Sequence, residues 1–229
     1  MTIIAVSGLL RESRIASGPG IVTLAAGGNA ALLRTRLEQT IAQGARGIIS
    51  FGIAGGLSPS LKPGDCIIGV EVRDGEQRFI SDEAWTARLA ARLPDAILAP
   101  FAGADAILAS KSAKADVFGQ TGAHAVDMES HVVARLAEAH RLPFTVLRTI
   151  ADPAGSALPP LARVAITAEG RMDLVAILKS LVGEPGQIGL LMRTARDSKA
   201  AFGSLLRCRR ALGLGLLGPD GRELALDMG

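Results

Sequence analysis

Gly20-Ile21-Val22-Thr23-Leu24-Ala25-Ala26-Gly27-Gly28-Asn29 decides how this chain folds. An apolar run that stops at a glycine pair and then at a side chain able to cap a helix reads as a strand handing over to a helix. The helix is expected over Ala30 to Gln43, where Leu33, Leu37 and Ile41 recur on one face, with Gly44 at its end. Next comes Gly47-Ile48-Ile49-Ser50-Phe51, a second buried strand, which is expected to end in the glycine-rich turn Gly52-Ile53-Ala54-Gly55-Gly56. Towards the N-terminus, Ile3 to Ser7 has the same short apolar character. Repeated strand–turn–helix units argue for an α/β fold with a mostly parallel sheet covered by helices.

The alternation continues along the chain. Pro63-Gly64-Asp65 turns into an apolar strand over Cys66 to Val72, and Ser81-Asp82-Glu83 opens a helix that runs to Leu93. Ala96 to Phe101 and Ala106 to Leu108 read as short strands, Asp127 to Ala139 as a helix, and Phe144 to Ile150 as the last clear strand. From Leu161 onward helices dominate, with Leu174, Ile177, Leu178 and Leu181 on an apolar face. Nothing demands a boundary, so residues 1–229 are expected to form one domain with a helical C-terminal segment from about 184.

Composition narrows the function. Hydrophobic residues make up 48% of the chain and charged ones 21%, enough for a real core. A net charge of +3 comes from basic and acidic residues that are mixed along most of the sequence, which argues against nucleic acid as a partner. Cys66 and Cys208 are too few and too distant in sequence for a disulfide framework, and no signal peptide or membrane span is legible, so a cytoplasmic location is expected. His124, His131 and His140 lack metal-site spacing, and no metal or organic cofactor is implied.

Two acidic stations carry the chemistry: Val126-Asp127-Met128-Glu129-Ser130, and Arg148-Thr149-Ile150-Ala151-Asp152 at the end of the apolar run. One carboxylate opening a helix and another at the mouth of a buried strand are placed to grip opposite ends of a small ligand, an arrangement suited to cleaving a sugar–base bond.

Gly52-Ile53-Ala54-Gly55-Gly56-Leu57, Leu61-Lys62-Pro63-Gly64-Asp65, Val126 to Glu129 and Arg148 to Asp152 together resemble the nucleoside phosphorylase and nucleosidase superfamily, in order and spacing, over Met1 to Asp152. Among nucleosidases the pattern is closest to that of 5′-methylthioadenosine/S-adenosylhomocysteine nucleosidase. Among less familiar branches it looks most like the hopanoid-associated phosphorylases, which act on adenosylhopane. The resemblance implies a three-layer α/β/α domain with a mixed, partly barrel-like central sheet, assembled as a homodimer or larger homo-oligomer. It implies cleavage of the N-glycosidic bond of a purine ribonucleoside, by water or by phosphate.

Breaking that bond develops positive charge on the sugar and negative charge on the base. An ionised Glu129 would accept hydrogen bonds from the ribose hydroxyls, its charge favoured by a helix N-terminus. Met128 would pack on the sugar. Asp152 would be raised in pKa by burial so that it can protonate the departing purine at N7. Glu12 falls where the nucleosidases keep the base that activates water. Asp127, Ala54, Gly55 and Ala151 are further candidates for substrate contact. A phosphate co-substrate would draw on Gly8, Arg11 and Gly28, with Arg14, Arg73 and Gly27 as alternatives.

Ser50 and Ile53 stand where the phosphorylases hold phosphate with an Arg and a Ser or Thr, which favours water. Gly69 for Ser, Ala151 for Ser and Asp127 for Glu are departures from the nucleosidase pattern. Between Met192 and Arg210 there are six basic residues (Arg193, Arg196, Lys199, Arg207, Arg209 and Arg210) against Asp197 alone. Such a helix suits either packing on the domain or contact with an anionic membrane, where it would help a lipid-tailed nucleoside reach the site. A catalytically dead nucleoside-binding sensor is the non-enzyme alternative, and it should tolerate loss of Asp152.

Overall fold

The computed structural model describes residues 2–158, 188–213 and 215–219. Eight strands form one sheet. β1 (Thr2–Ser7) pairs in parallel with β2 (Ile21–Ala25) on one side and β3 (Ala45–Gly56) on the other. β3 pairs in parallel with β8 (Phe144–Asp152), and β8 pairs antiparallel with β4 (Cys66–Asp74). β4 pairs in parallel with β6 (Ile97–Gly103), β6 with β7 (Ala125–Asp127), and β7 returns antiparallel to β3. These last five strands close on themselves, while β5 (Gln77–Ile80) hangs from β4 as a hairpin. The sheet is therefore mixed and partly barrel-like, with five parallel and three antiparallel pairings.

Strand alternation divides the core. Ile4, Val6, Ile48, Ile67 and Val146 point to one side, where they meet α2 (Ala30–Ala42) and α5 (Ser130–Ala139). Their neighbours Ile3, Ala5, Ile49, Ile68 and Leu147 point to the other, against α1 (Leu10–Ala16), α3 (Glu83–Arg92) and α6 (Ile188–Ala211). That alternation makes the three layers. Caps behave as expected: Asn29 accepts from Leu32 N at 2.9 Å, and Asp82 from Trp85 N at 2.7 Å. α6 is tied down by Arg209, which donates to the carbonyls of Ile15 and Ser17. Cys66 and Cys208, remote in sequence, lie 3.2 Å apart as free thiols.

Several expectations are corrected. Gly52 to Gly56 is not a turn but the second half of β3, which is flanked there by β7 and β8. Ala106 to Leu108 is not a strand; Ser110 caps α4 (Lys111–Thr121) just beyond it. The helix expected from Asp127 begins at Ser130, because Ala125 to Asp127 are drawn into the barrel as β7. Gly69 leaves no room for the family's Ser: a Cβ there would sit 2.7 Å from Val146 Cβ on the neighbouring strand. Among the described residues, no helix is long and apolar enough to cross a membrane. The apolar face around Leu174 lies outside the described residues.

Candidate active site

Arg148 is the hub of the site. It interrupts the apolar strand β8 with a guanidinium that is 1% exposed, and a buried charge of this kind must be surrounded by acceptors. Nε lies 2.9 Å from Asp127 Oδ2, and Nη2 lies 3.0 Å from Glu129 Oε2. Nη1 donates to the carbonyl of Ile53 at 3.0 Å, and Nη2 to Ser50 Oγ at 2.7 Å. Ser50, in the place of a phosphate-binding Arg, thus serves as an acceptor for this guanidinium. Burial opposes the Arg148 charge, but Asp127, Glu129 and Glu12 outweigh it and raise the pKa above its ordinary value. A lone Arg in an otherwise apolar strand is the signal the sequence carries for this hub.

Glu12 is the third residue of α1 and reaches back to that helix's start. Oε2 accepts from Leu9 N at 2.7 Å, and Oε1 accepts from Ile53 N, across in β3, at 2.8 Å. Burial pushes its pKa up; Arg148 and the N–H groups of Ile53, Leu9 and Gly8 pull against that. Glu129 occupies the position before α5 rather than its first turn, and its side chain makes no capping hydrogen bond. Its pKa is pushed up to about 7, first by burial, with Arg148 opposing and with Asp127 and Glu12 adding to the rise. The helix terminus expected to favour its charge does not offset burial and, after it, the neighbouring carboxylates.

Asp127 has partners within the chain. Its carboxylate accepts from Glu129 N at 3.0 Å and Ser130 N at 2.7 Å, besides pairing with Arg148, so it shapes the turn that presents Glu129.

Asp152 is placed against Gly55 and Lys114 by a register shift. Ala54 pairs with Ile150, but Gly55 pairs with Asp152, so Ala151 is an extra residue in β8. In a regular strand Asp152 would share the face of core residue Ile150; the bulge re-aims its carboxylate over Gly55. Ala54 and Ala151 are buried backbone neighbours of this turn. Burial raises the pKa of Asp152 above the usual carboxylate value, and Lys114 works against it. Lys114, from α4, is fully buried, with Nζ 2.6 Å from Asp152 Oδ2. The sequence carried no sign of it, since Lys-Ala-Asp-Val around it has no apolar stripe to predict burial.

Glycines sit against all three proposed catalytic carboxylates. A Cβ at Gly8 would lie 3.0 Å from Glu129 Oε1, at Gly52 2.7 Å from Glu12 Cδ, and at Gly55 3.3 Å from Asp152 Oδ2. Because both Glu12 oxygens are held by backbone N–H groups, that carboxylate cannot yield freely. Gly52→Ala should therefore destabilise by about 1–3 kcal/mol, seen as a Tm several degrees lower; an unchanged Tm would show that Glu12 is not held in this way.

The anion-binding candidates do not converge. Arg11 lays its guanidinium 4.1 Å over the Phe202 ring, Arg14 is exposed, and Arg73 pairs with Glu71. Gly28 faces the Met128 side chain, and the Gly27 N–H goes to the Gly8 carbonyl at 2.9 Å.

The chain belongs to the phosphorylase superfamily: that family's profile, described as Phosphorylase superfamily, matches residues 15–182, a span that holds Asp127, Glu129, Arg148 and Asp152 but not Glu12. No curated protein sequence matches the chain. Among solved structures, it is similar to the futalosine hydrolase of Helicobacter pylori strain 26695, at 16% identity and a TM-score of 0.64 over 93% of this chain and 97% of that one. It is also similar to the Helicobacter pylori 5′-methylthioadenosine/S-adenosyl homocysteine nucleosidase, at 15% identity and a TM-score of 0.65 over 93% and 97%. A putative nucleosidase of the same kind from Borrelia burgdorferi B31, bound to adenine, matches at 17% identity and a TM-score of 0.64 over 92% and 99%. At these identities the likeness carries the fold.

Proposed function

We propose that this protein is a nucleosidase that hydrolyses the N-glycosidic bond of a purine ribonucleoside and releases adenine. The observation that carries water over phosphate is the seating of Glu12. The backbone N–H groups of Gly8, Leu9 and Ile53 converge on its carboxylate, so the donors that would cradle a phosphate already hold an anion belonging to the chain. A phosphate placed there would also face Glu129.

In this reading the protonated Asp152 gives its hydrogen to purine N7 while the C1′–N9 bond breaks and its electron pair leaves with the base. The positive charge that develops on the ribosyl ring is stabilised by Glu129 and the excess negative charge around Arg148. Glu12 accepts a proton from the water that attacks C1′, help worth about 10²–10⁴ in rate. Glu129 holds the ribose hydroxyls, and Met128, over Gly28, packs on the sugar.

The finer proposal is that the substrate carries a lipid tail, as in adenosylhopane of hopanoid biosynthesis. Support comes from α6, whose exposed face combines Arg193, Arg196, Lys199, Arg207 and Arg210 with the exposed apolar side chains of Met192 and Leu206. Such a face suits peripheral contact with an anionic cytoplasmic leaflet. A homodimer or larger assembly belongs to the same proposal.

The test is release of free adenine from 5′-methylthioadenosine and from a lipid-tailed adenosine, with and without phosphate. Expected are turnover in phosphate-free buffer, preference for the lipid-tailed compound, and an acidic limb of the pH profile governed by Glu129 near 7, below which its protonation weakens the grip on ribose. Dependence on phosphate would overturn hydrolysis, preference for the thioether would overturn the lipid tail, and binding without turnover would leave a sensor.

A further inference from the structure

Lys114 is a buried cation in a place that composition gave no reason to expect. It is the single buried residue of α4, and its Nζ lies 2.6 Å from Asp152 Oδ2, 3.2 Å from the Asp152 carbonyl, 3.1 Å from the Pro153 carbonyl and 3.2 Å from the Ser156 carbonyl. All four neighbours are acceptors. An amine nitrogen offering a lone pair would point it at an oxygen, so the surroundings suit an ammonium with three N–H donors. These contacts also gather the loop that follows β8 around the proposed acid.

We propose that Lys114 is the positioning residue for the proton donor: by occupying Oδ2 it confines the transferable hydrogen of Asp152 to Oδ1, and by its charge it makes Asp152 a stronger acid towards the leaving purine. The inference rests on the nucleosidase reading above and deepens it. A hydrogen on Oδ2 would collide with the N–H that already points there, whereas Oδ1 makes no contact with Lys114. The Asp152 side chain is 17% exposed while Lys114 is sealed, so the open side of the carboxyl is the side away from the ammonium.

Among the described residues, Lys114 is the charge that acts on Asp152. Gly55 of β3 and Val126 of β7 flank it, and the loop over Pro153 to Ser156 contributes backbone carbonyls to the Lys114 side. Burial raises the acid, and Lys114 is the charge that opposes the rise. A carboxyl raised by burial alone would hold its proton too firmly to surrender it; one paired with a cation and exposed to water would have lost it before the substrate arrived. The pairing of a sealed lysine with a half-open carboxyl sits between these limits.

The experiment compares pH profiles of kcat and KM for adenine release by the full chain, Lys114→Met and Lys114→Gln, with far-UV circular dichroism to verify the fold. Methionine keeps the length without charge or donor, and glutamine keeps a donor without charge. Activity should fall on the alkaline side as Asp152 loses its proton. In both variants that limb should move up by about 1–3 pH units, because the cation that favours the carboxylate is gone. The plateau kcat should fall roughly tenfold as the acid weakens, with KM little changed. In an Asp152→Asn background, Lys114→Met should have no further effect on rate. If Lys114→Met does not accumulate folded, Lys114→Gln carries the comparison.

An alkaline limb that stays in place in the folded variants overturns the proposal, as does a glutamine variant with the profile of the unaltered chain. Failure of the unaltered chain to release adenine would instead sink the nucleosidase reading, so the two failures are distinguishable.

Discussion

Asp152→Asn should slow adenine release by about 10²–10⁴ while leaving the fold and nucleoside binding in place. Asparagine retains the shape of the carboxyl, and its carbonyl can still accept from Lys114 at the position now held by Oδ2. What it lacks is a hydrogen that can be transferred. The amide can still lie beside purine N7, so KM should change little and the loss should fall on kcat. Single-turnover measurements separate the step: breakage of the sugar–base bond itself should be slow, not the departure of products. A variant within tenfold of the unaltered rate would mean that the purine leaves without this proton, and Asp152 would then belong to the loop's architecture alone.

Arg148→Met should destabilise the protein by about 3–5 kcal/mol near neutral pH, the cost typical of stripping the partner from a buried ion pair. For a chain of this size that corresponds to a fall in Tm on the order of 10 °C. The guanidinium is shared among Asp127, Glu129 and Glu12, so its removal leaves three carboxylates crowded together with nothing opposite. The pH dependence identifies the cause. Without Arg148, Glu12 and Glu129 rise further above their unfolded values, so the folded state holds protons that the unfolded chain releases. Stability of the variant relative to the unaltered chain should be lowest at pH 7–8 and should recover as the pH falls towards 5, where the carboxylates become neutral. A penalty that does not vary with pH would mean that lost packing is responsible. Burial first, and then the same crowding, explain why Glu129, pushed up to about 7, is not the permanent anion that its place beside a helix suggests.

How much of this was legible before folding differs from element to element. The strands around Val6, Ile49, Ile68 and Leu147 announce themselves because a strand buried on both faces has no polar side to show. β7 does not, since three residues leading into a helical pattern carry no period. β3 misled because glycine is a turn former in most settings, whereas here Gly52 and Gly55 leave room for Glu12 and Asp152. The carboxylates Glu129 and Asp152 stood out as charges at the ends of apolar runs. What Ser50, Asp127 and Lys114 do was not legible: hydroxyls, aspartates and lysines are common on surfaces, and only contact distances reveal which are buried.

Local order therefore followed from the chain itself: apolar period, caps and glycines set strands and helices, because those preferences act between residues near one another. Closure of β3, β8, β4, β6 and β7, the bulge at Ala151 and the charges facing Glu12, Glu129 and Asp152 were decided by the tertiary structure. Each depends on groups far apart in sequence meeting in a space without water, where one guanidinium or one ammonium changes which carboxyl keeps its proton.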